Sequence, residues 1–540
     1  MQVSNYSFDH LPFSELFKTY VHNFDQLSNF YDTNPFDEQA IAKKIDNFTF
    51  TGDRDQLVEI LTAFNEQFDT HKSAQANIRR LGDEQTLAVV TGQQLGIYGG
   101  PLYTVLKTIS VIHIARKLEQ RYNRPVVPVF WLADEDHDYE EIRSITVLNN
   151  DTDDVEHHAL PSKGDELPTV AEMAIPEQIE QLREALQESF YQTDFSDDLW
   201  ELLDSCFKPG QSFRSAFGQF ISSLFSEHGL VLAGSNHPKV KQVTANALQQ
   251  SVAQADAIRE SLETQTAALS DRYHQQVTLY DSNLFYLDED VGRTKISRNS
   301  NGWHAGSARD WDFQQLVDDI DHHPHKFSPN VFMRPILQDM LLPTLGYVAG
   351  PGETAYFGQM KGMYSCFDLD MPVIFPRLSV TIVEPAIDRI INELPFEFHE
   401  FSRRIEDLES DYVDRTEQRD LEAIFDKWKE DINELVAPRK EDVSAIDPTL
   451  EGAVEKSTAR YFSELDKLKG KVYRAVKKKD DIQLKRIRRI KANLFPDGSL
   501  QERTVAGIFF MNKYGIDIWD HLLDSLDQHE TFDHHKLLYL

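Results

Sequence analysis

Two apolar runs, residues 87–91 and 126–132, mark the most regular part of the hydrophobic pattern. Each predicts a strand, and each run ends abruptly at polar groups. Between the runs, from Leu102 to Ala115, apolar residues recur every three or four positions, which is the period of an α-helix. We expect this helix to begin at Pro101, since proline suits the first helical position. A strand, a helix and a strand of these lengths predict a parallel β-α-β unit with a right-handed crossover.

The alternation of strands and helices continues to about residue 385, which is typical of α/β proteins. A mostly helical region over 13–80 precedes the β-α-β unit, and residues 146–210 indicate an insertion. The predicted elements after the insertion are a helix over 212–227, a strand over 230–234, a helix over about 238–270, a β-hairpin region over 276–305 (277–280 and 284–287), and strands near 346–349 and 373–375.

From about residue 386 to 491 the pattern changes to long amphipathic helices. Apolar residues keep a spacing of three or four over 421–435 and again over 462–472, and residues 436–442 predict a turn between them. The result is an antiparallel helical hairpin, and because its apolar stripe has to be buried, we expect it to mediate dimerisation. The basic residues of 467–491 are expected to pair with acidic residues of the other arm, with a nucleotide-phosphate contact or a partner surface as the alternatives.

Charge and cysteine content narrow the partners. The formal net charge of −34 repels nucleic-acid phosphates and anionic lipids, so we expect neither as a partner. The two cysteines, Cys206 and Cys366, exclude a disulfide framework and a CxxC zinc site. The N-terminus lacks the pattern of a signal peptide, and no apolar run approaches the roughly 18 residues of a membrane span. We therefore expect a cytoplasmic protein.

The segment after the first strand, residues 91–107, is the first candidate for chemistry. Gly99 and Gly100 permit a tight turn, and the amides at the start of the next helix favour phosphate or carboxylate. The spacing matches neither a Walker A loop nor GxGxxG, and a turn that needs glycine only for its positive φ is the alternative. Four further side chains add hydrogen-bonding groups that a turn does not need: Gln93, Gln94, Tyr103 and Lys107.

The second candidate is the sequence Asp-Glu-Asp-His-Asp at 134–138, directly after the second strand. Open α/β sheets bind ligands at the carboxyl ends of their strands. Carboxylates there bind a substrate ammonium, hold Mg²⁺ or act as general base, and His137 has the pKa range for proton transfer near neutral pH. Adjacent acids do not suit zinc. An acidic loop that caps the next helix is the alternative.

The third candidate combines residues 327–335 with 350–356, where Gly-Pro-Gly-Glu indicates another strand end that opens into a helix. Arg334 and Arg377 are candidates for bidentate recognition of a carboxylate or phosphate, with a structural ion pair as the alternative for each. The histidines at 322, 323 and 325 lack the spacing of metal ligands, so we expect a surface loop there.

Five motifs, taken together and in this order, resemble one family. They are Thr-Gly-Gln-Gln-x-Gly with Gly-Pro-Leu-Tyr-x-x-x-Lys (91–107), Pro-Val-Phe-Trp-x-Ala-x-Glu-Asp-His-Asp (128–138), Phe-Ser-Pro-Asn-Val-x-x-Arg-Pro (327–335), Gly-Pro-Gly-Glu-x-x-Tyr (350–356) and Leu-Phe-Pro-Asp-Gly-x-x-Gln-Glu-Arg (494–503). The chain resembles BshC, the family of cysteine-adding enzymes of bacillithiol biosynthesis.

The resemblance implies an α/β fold: a Rossmann-like core, related to class I adenylate-forming enzymes, with connective insertions and a long antiparallel helical coiled-coil domain that supports a homodimer. With the patterns above, it divides the chain into five regions. These are an N-terminal segment of the core (1–145), a connective insertion (146–210), a second core segment with the hairpin region (211–385), the coiled-coil hairpin (386–491), and a C-terminal segment packed on the core (492–540).

The resemblance also implies an activity, the last step of bacillithiol biosynthesis. The carboxyl of L-cysteine is joined to the amine of glucosaminyl malate, an adenine nucleotide (ATP or ADP) binds, and Mg²⁺ is a possible cofactor. The implied pocket, carried over position by position, is Gln93, Gln94, Tyr103, Lys107, Trp131, Glu135, Asp136, His137, Asn330, Arg334 and Glu353.

Our hypothesis assigns roles within this set. Substrate carboxylates and phosphates would meet Lys107, Arg334, Arg377 and the amides of 99–101. The nucleotide would bind at Gly99, Gly100 and Arg503. The amine would lie against Glu135 and Asp136, with His137 as proton acceptor.

One departure from the class I fold concerns nucleotide activation. The chain has no His-x-Gly-His loop, and residues 295–298 resemble the Lys-Met-Ser-Lys-Ser loop only faintly, so the activation chemistry is not predicted. Two other functions stay open. One is a nucleotidyl- or phosphotransferase that acts on another sugar acid, and the other is a non-catalytic dimeric ligand-binding protein.

Overall fold

The computed structural model describes residues 2–163, 169–288, 290–300, 302–416, 420–526 and 532–540. The chain forms two compact units, Met1–Ile382 together with Gln501–Leu540, and Val383–Leu500. The strands are β1 (Gln2–Tyr6), β2 (Leu87–Gln93), β3 (Val126–Leu132), β4 (Ser144–Leu148), β5 (Val155–Ala159), β6 (Val231–Gly234), β7 (Leu284–Asp288), β8 (Gly292–Asn299), β9 (Gly302–Ala305), β10 (Arg309–Trp311), β11 (Phe327–Pro329), β12 (Thr344–Ala349), β13 (Val373–Pro376), β14 (Val380–Val383) and β15 (His535–Tyr539).

Helices make up most of the remaining described structure. They are α1 (Glu15–His22), α2 (Glu38–Asp46), α3 (Arg54–Asn65), α4 (Lys72–Arg80), α5 (Tyr103–Tyr122), α6 (Tyr139–Ile142), α7 (Ile179–Ser189), α8 (Ser196–Cys206), α9 (Phe213–Phe225), α10 (Pro238–Ala253), α11 (Ala255–Ser270), α12 (Phe313–His322), α13 (Met333–Leu341), α14 (Pro351–Phe357), α15 (Lys361–Ser365), α16 (Pro385–Ile391), α17 (Ile405–Thr416), α18 (Leu421–Ile446), α19 (Glu451–Lys479), α20 (Asp481–Leu494), α21 (Gln501–Thr504), α22 (Gly507–Tyr514) and α23 (Ile518–Ser525). In the described residues, no helix is long and apolar enough to cross a membrane.

A parallel sheet in the order β13-β12-β2-β3-β6 forms the core of the larger unit. Every residue of β3 is buried, as is every residue of β2 except the last, which explains their uninterrupted apolar sequence. The predicted strand-helix-strand unit is thereby confirmed. From β2 the chain proceeds to β3 and β6 on one side, whereas β12 and β13 lie on the other, so β2 and β12 flank a switch point in the strand order.

Several element boundaries differ from the predictions. Helix α5 begins at Tyr103 rather than Pro101, because Pro101 forms a β-bridge with Ala506. The helix predicted over 238–270 is two helices, with the break at Gln254.

The predicted hairpin region is also larger than expected. Residues 277–280 are not a strand, whereas β7 and β8 form an antiparallel hairpin within a five-stranded sheet, β10-β9-β8-β7-β11. Elsewhere in the larger unit, β15 pairs antiparallel with β1 within the sheet β1-β15-β14.

The smaller unit contains the predicted helical hairpin, formed by α18 and α19. The predicted turn at 436–442 is wrong: α18 continues through Pro438 to Ile446, and the connection lies at 447–450. A single proline inside a long helix costs hydrogen bonding locally but need not end the helix when the rest of it is well formed.

Candidate functional site

A cleft of about 320 Å³ lies at the carboxyl edge of the central sheet. It is lined from both sides of the switch point between β2 and β12, where open α/β sheets bind ligands. The lining residues are Gly92, Gln93, Gln94, Tyr103, Lys107, Trp131, Ala133, Val331, Arg334, Tyr347, Gly350, Pro351, Gly352, Glu353, Tyr356, Arg377 and Arg503.

Lys107, in the second turn of α5, is buried and fully engaged. Its Nζ lies 2.6 Å from Glu353 Oε2 and donates to the carbonyl of Gly92 at 2.8 Å and to Gln93 Oε1 at 3.2 Å. Burial lowers the pKa of Lys107, and the Glu353 carboxylate opposes that shift. Three acceptors match the three donors of an ammonium group, so Lys107 holds the cleft wall together.

Glu353 lies in the first turn of α14 and accepts hydrogen bonds with both oxygens. The Gly350 amide donates to Oε2 and the Tyr347 hydroxyl to Oε1, each at 2.8 Å. Burial raises the pKa of Glu353, but the Lys107 ammonium and these two donors outweigh it and lower the pKa below its usual value. The carboxylate is therefore ionised and fixed in orientation.

Arg334, in α13, is half-buried, and the groups that accept hydrogen bonds from its guanidinium are neutral. Its guanidinium donates to Gln338 Oε1 at 3.0 Å and to the hydroxyls of Tyr356 and Tyr347 at 3.3 and 3.4 Å. No carboxylate of the described residues lies within 4.0 Å of it. A guanidinium held by neutral groups keeps its charge available to an anionic ligand.

Two further arginines complete the cationic side of the cleft. The guanidinium of Arg377, which follows β13, pairs with Glu502 at 2.7 Å and is 5.7 Å from the ring centre of Tyr103. Arg503, the next residue after Glu502, is exposed, and its side chain forms no ion pair within the described parts of the chain. Arg334 and Arg503 therefore carry the positive charge available to a ligand.

Neutral polar groups also line the cleft. Gln93 Nε2 lies 3.3 Å from the hydroxyl of Tyr103, and burial raises the pKa of that tyrosine. Gln94 donates to Asp136 Oδ2 at 2.6 Å. The indole N–H of Trp131 is buried with no acceptor in the described structure.

The acidic segment after β3 does not line the cleft, in contrast to the predicted placement of Glu135, Asp136 and His137. Glu135 is buried in an ion pair with Lys241 of α10, and Lys241 also donates to the carbonyl of Phe327 at 2.5 Å. Only Asp136 is connected to the cleft, through Gln94.

The imidazole of His137 lies outside the cleft as well. Burial, and secondarily Arg293, lower the pKa of His137 to about 4, so the ring is neutral near pH 7. Arg293 itself donates to Ser328 Oγ and to the carbonyl of Pro329. Lys241 and Arg293 thus both donate hydrogen bonds to β11 and hold this strand against the core.

Three other predicted residues are also outside the cleft lining. Asn330 accepts from the amides of Phe332 and Met333 and so supports the start of α13. The buried amides of Gly99 and Gly100 donate to the carbonyls of Gly96 and Ile97, which leaves neither N–H directed to an anion. The turn needs glycine because φ is +87° and +67° at these positions.

Sequence reasoning missed several groups that contribute to the site. Tyr347 lies within an apolar strand, where an aromatic residue normally indicates core. Glu502 and Lys241 lie in segments with no local signal of burial. The Gln-Glu-Arg motif at 501–503 was the one available signal, and only its arginine was assigned a role.

The described residues contain no group of three or more His, Cys, Asp or Glu side chains that could hold a metal ion. Among the histidines near 322, His323 pairs with Asp319 at 2.8 Å.

The fold and cleft define an α/β protein with a Rossmann-like sheet, an arginine-lined cleft at its switch point and a separate helical hairpin unit. Two family models cover nearly the whole chain. Residues 1–378 match the N-terminal Rossmann-like domain of bacillithiol biosynthesis BshC, and residues 380–540 match its C-terminal coiled-coil domain. The chain belongs to the BshC family.

Full-length relatives agree with this assignment. A protein of Salinibacter ruber is 34% identical over 95% of this chain and 94% of its own length. A protein of Chlorobaculum tepidum is 32% identical over 89% and 88%, and one of Geobacillus kaustophilus 31% over 91% of each. All three bear the name "Putative cysteine ligase BshC".

Proposed function

We propose that this protein is a cysteine ligase that joins the carboxyl of L-cysteine to the amine of glucosaminyl malate, as the last step of bacillithiol biosynthesis. The observation that carries the proposal is the cleft at the switch point, in which Arg334 and Arg503 present positive charge beside the neutralised Lys107–Glu353 pair. Both substrates carry carboxylates, and guanidinium groups bind carboxylates bidentately. The names of the relatives point to the same activity.

Amide formation requires that the cysteine carboxylate be activated, and we propose ATP as the co-substrate. Transfer of AMP gives an acyl-adenylate and pyrophosphate, whereas transfer of phosphate gives an acyl-phosphate and ADP. In either case the amine nitrogen forms the new bond, AMP or phosphate leaves, and one proton is released. Arg334 and Arg503 would stabilise the charge on the carboxylate and phosphate oxygens.

The position that we propose for the amine differs from the one expected from the sequence. Glu135 and Asp136 do not line the cleft, whereas Glu353 does and is ionised. We therefore place the amine near Glu353. Mg²⁺ stays a prediction, and it would arrive bound to the nucleotide phosphates, a mode that needs few protein carboxylates.

A product assay tests the proposal. The full chain is incubated with L-cysteine, glucosaminyl malate and ATP, and mass spectrometry identifies the thiol product and the nucleotide product. The R334M variant should lose at least about a hundredfold in kcat/KM, because an anchor of the charged transition state is removed. R404M, which removes an exposed arginine of the smaller unit, should leave the rate unchanged.

The alternatives give different products. Turnover of ATP with another sugar acid and no cysteine-containing product would show a nucleotidyl- or phosphotransferase. Binding of glucosaminyl malate without turnover, under conditions where R334M binds less, would show a ligand-binding protein. Either result would contradict the ligase.

We further propose that the protein is a homodimer formed through the α18–α19 hairpin. Several large apolar side chains of this hairpin are exposed, among them Ile424, Trp428, Leu435, Tyr461 and Leu468. Spacings of four and seven residues place those of α18 on one face, which is the pattern of a coiled-coil seam.

A further inference from the structure

Glu502 is a completely buried carboxylate that makes contact with a residue of the cleft wall. Its side chain has 0% exposure, and that of its partner Arg377 has 4%. Arg377 Nη2 donates to Glu502 Oε1 at 2.7 Å, the Ser379 hydroxyl donates to the same oxygen at 2.9 Å, and the Val380 amide donates to Oε2 at 2.8 Å. A carboxylate with both oxygens engaged has a fixed orientation.

The guanidinium of Arg377 is restrained on several sides. Nη1 donates to the carbonyl of Leu378 at 2.8 Å, and the group lies 5.7 Å from the ring centre of Tyr103. Nε lies beside Gly350, where even a Cβ atom would come within 3.5 Å of it. Gly350 is itself a cleft residue, so the edge of the guanidinium that the protein leaves open borders the cleft.

The residues on either side of Glu502, Gln501 and Arg503, link β14 to the cleft. Gln501 is buried, and its side chain both accepts from the Ile382 amide at 2.8 Å and donates to the Ile382 carbonyl at 3.0 Å. Together the side chains of Gln501 and Glu502 form hydrogen bonds with the backbone of Val380 and Ile382 in β14, as a neighbouring strand would. The next residue, Arg503, is exposed and lines the cleft.

We propose that Glu502 is a positioning residue for the anion-binding side of the cleft: it fixes the guanidinium of Arg377 and, through the adjoining peptide, the location of Arg503. This inference rests on the proposed function for its kinetic consequence, but its geometric content stands independently. Burial raises the pKa of Glu502, but Arg377 and the Val380 amide lower it below its usual value. Glu502 is therefore ionised near neutral pH, and its negative charge pairs with the positive charge of Arg377.

A double-mutant cycle tests whether Glu502 acts through Arg377. The variants are E502Q, R377M and the double variant, all measured for kcat and KM in the product assay above. E502Q should lose about ten- to a hundredfold in kcat/KM, because Arg377 and Arg503 are no longer held at their positions in the cleft wall. The double variant should lose less than the product of the two single losses, since residues that act as one unit are not additive. Losses that multiply would overturn the proposal.

A second measurement does not depend on activity. Phenylglyoxal modifies accessible guanidinium groups, and peptide mass spectrometry follows the rate at Arg377 in the intact protein. The rate should rise severalfold in E502Q, because the ion pair that holds Arg377 is gone. It should stay at the wild-type value in T381V, which removes a hydroxyl from the same buried network at the far side of His535. An unchanged rate in E502Q would overturn the proposal.

These measurements separate the two proposals. A wild-type protein without cysteine-containing product contradicts the ligase, while the modification rates still decide the role of Glu502. If E502Q does not fold, E502D takes its place, because the shorter carboxylate keeps the charge but cannot reach both Arg377 and the Val380 amide. E502D should then show faster modification of Arg377 than wild type, and equal rates would contradict the positioning role.

Discussion

Two cations of the cleft wall are neutralised within single pairs of side chains, Lys107 with Glu353 and Arg377 with Glu502. Lys107 and Glu353 are 6% and 20% exposed, and their charged atoms lie 2.6 Å apart. The ion pair therefore compensates each group for the hydration that it loses on burial. Removing one member of such a pair leaves a buried charge without a partner, which costs more than the pair itself contributes. In this arrangement Lys107, the first cation that the sequence brings to attention, has its three N–H donors engaged by protein acceptors.

The first prediction concerns this pair. K107M should lower the free energy of unfolding by about 3–5 kcal/mol, because Glu353 would stay buried and unpaired. The double variant K107M/E353Q should lose less than the two single variants combined. Guanidinium chloride unfolding measures all three. K18M removes a surface partner of Glu15 and should change the stability by less than about 1 kcal/mol. Equal losses in K107M and K18M would contradict the proposed burial cost.

The second prediction concerns His535, which is fully buried between the hydroxyls of Ser379 and Thr381. Burial lowers its pKa from 6.5 to about 4. The unfolded chain therefore binds a proton at this residue before the folded chain does, so stability is complete above pH 6.5 and is lost as the pH falls towards 4.

The size of the His535 contribution is about 3 kcal/mol at most. H535Q should weaken the loss of stability between these pH values, and a residual slope should come from His137, whose pKa burial also lowers to about 4. Unfolding midpoints in denaturant across the pH range measure both slopes. H322Q, which changes an exposed histidine at the end of α12, should keep the wild-type slope. A wild-type slope in H535Q would contradict the assignment.

At the scale of elements, the turn between β2 and α5 shows how glycine positions shape the cleft. Tyr98, Gly99 and Gly100 have φ values of +50°, +87° and +67°, so the chain reverses over three consecutive residues of positive φ. The amides of the two glycines close the turn on itself. The glycines therefore serve the route of the chain from strand to helix, and the cleft receives side chains from both flanks of the turn.

The two glycines should respond differently to alanine. G100A meets only ordinary contacts, at 3.7 Å, and should cost about 1–2 kcal/mol for the left-handed backbone alone. G99A should cost more, because its Cβ would lie 2.5 Å from the ring of Phe220. Chemical unfolding measures the order. Binding of ATP should persist in folded G100A, and loss of binding there would instead support the predicted role of Gly100 in holding the nucleotide.

Elements with continuous local signals were predicted well, and those that depend on distant partners were not. The apolar runs of β2 and β3 and the helical period of α5 follow from burial: β3 has the predicted limits, β2 extends two residues further, and α5 begins two residues later than predicted. Parallel strands bring their carboxyl ends to one edge, so the common location of Gln93, Lys107 and Arg334 was predictable. The turn predicted at 436–442 was wrong because proline often ends a helix, whereas α18 continues past Pro438.

The acidic segment shows why the rest of the site was harder to predict. Asp134 to Asp138 follow a buried strand at the expected edge, but Lys241 and Arg293 approach from α10 and β8 and balance their charge away from the cleft. Such pairing over long sequence separations has no local signal. The same is true of Glu502, which is adjacent in sequence to an exposed arginine yet is completely buried.

At the scale of the whole molecule, the two units use their apolar residues differently. In the larger unit the long apolar runs are buried between sheet and helices. In the smaller unit α18 and α19 leave Leu435 67% and Ile424 45% exposed. Its basic residues are largely paired within the unit, as Lys477 and Arg488 are with Glu409. The basic run is therefore explained by intramolecular pairing, which leaves the apolar stripe as the feature that requires a partner.

The last prediction is that this stripe forms the dimer contact. W428E/L435E should shift the protein from dimer to monomer in sedimentation velocity, because two buried carboxylates without partners oppose association by several kcal/mol. N433E places an acidic residue on an exposed polar position of the same helix and should remain dimeric. The helical content of both variants should match that of the wild type, since the substitutions lie on exposed surfaces. A wild-type protein that sediments as a monomer, or a W428E/L435E dimer as stable as the wild type, would contradict a dimer formed through this hairpin.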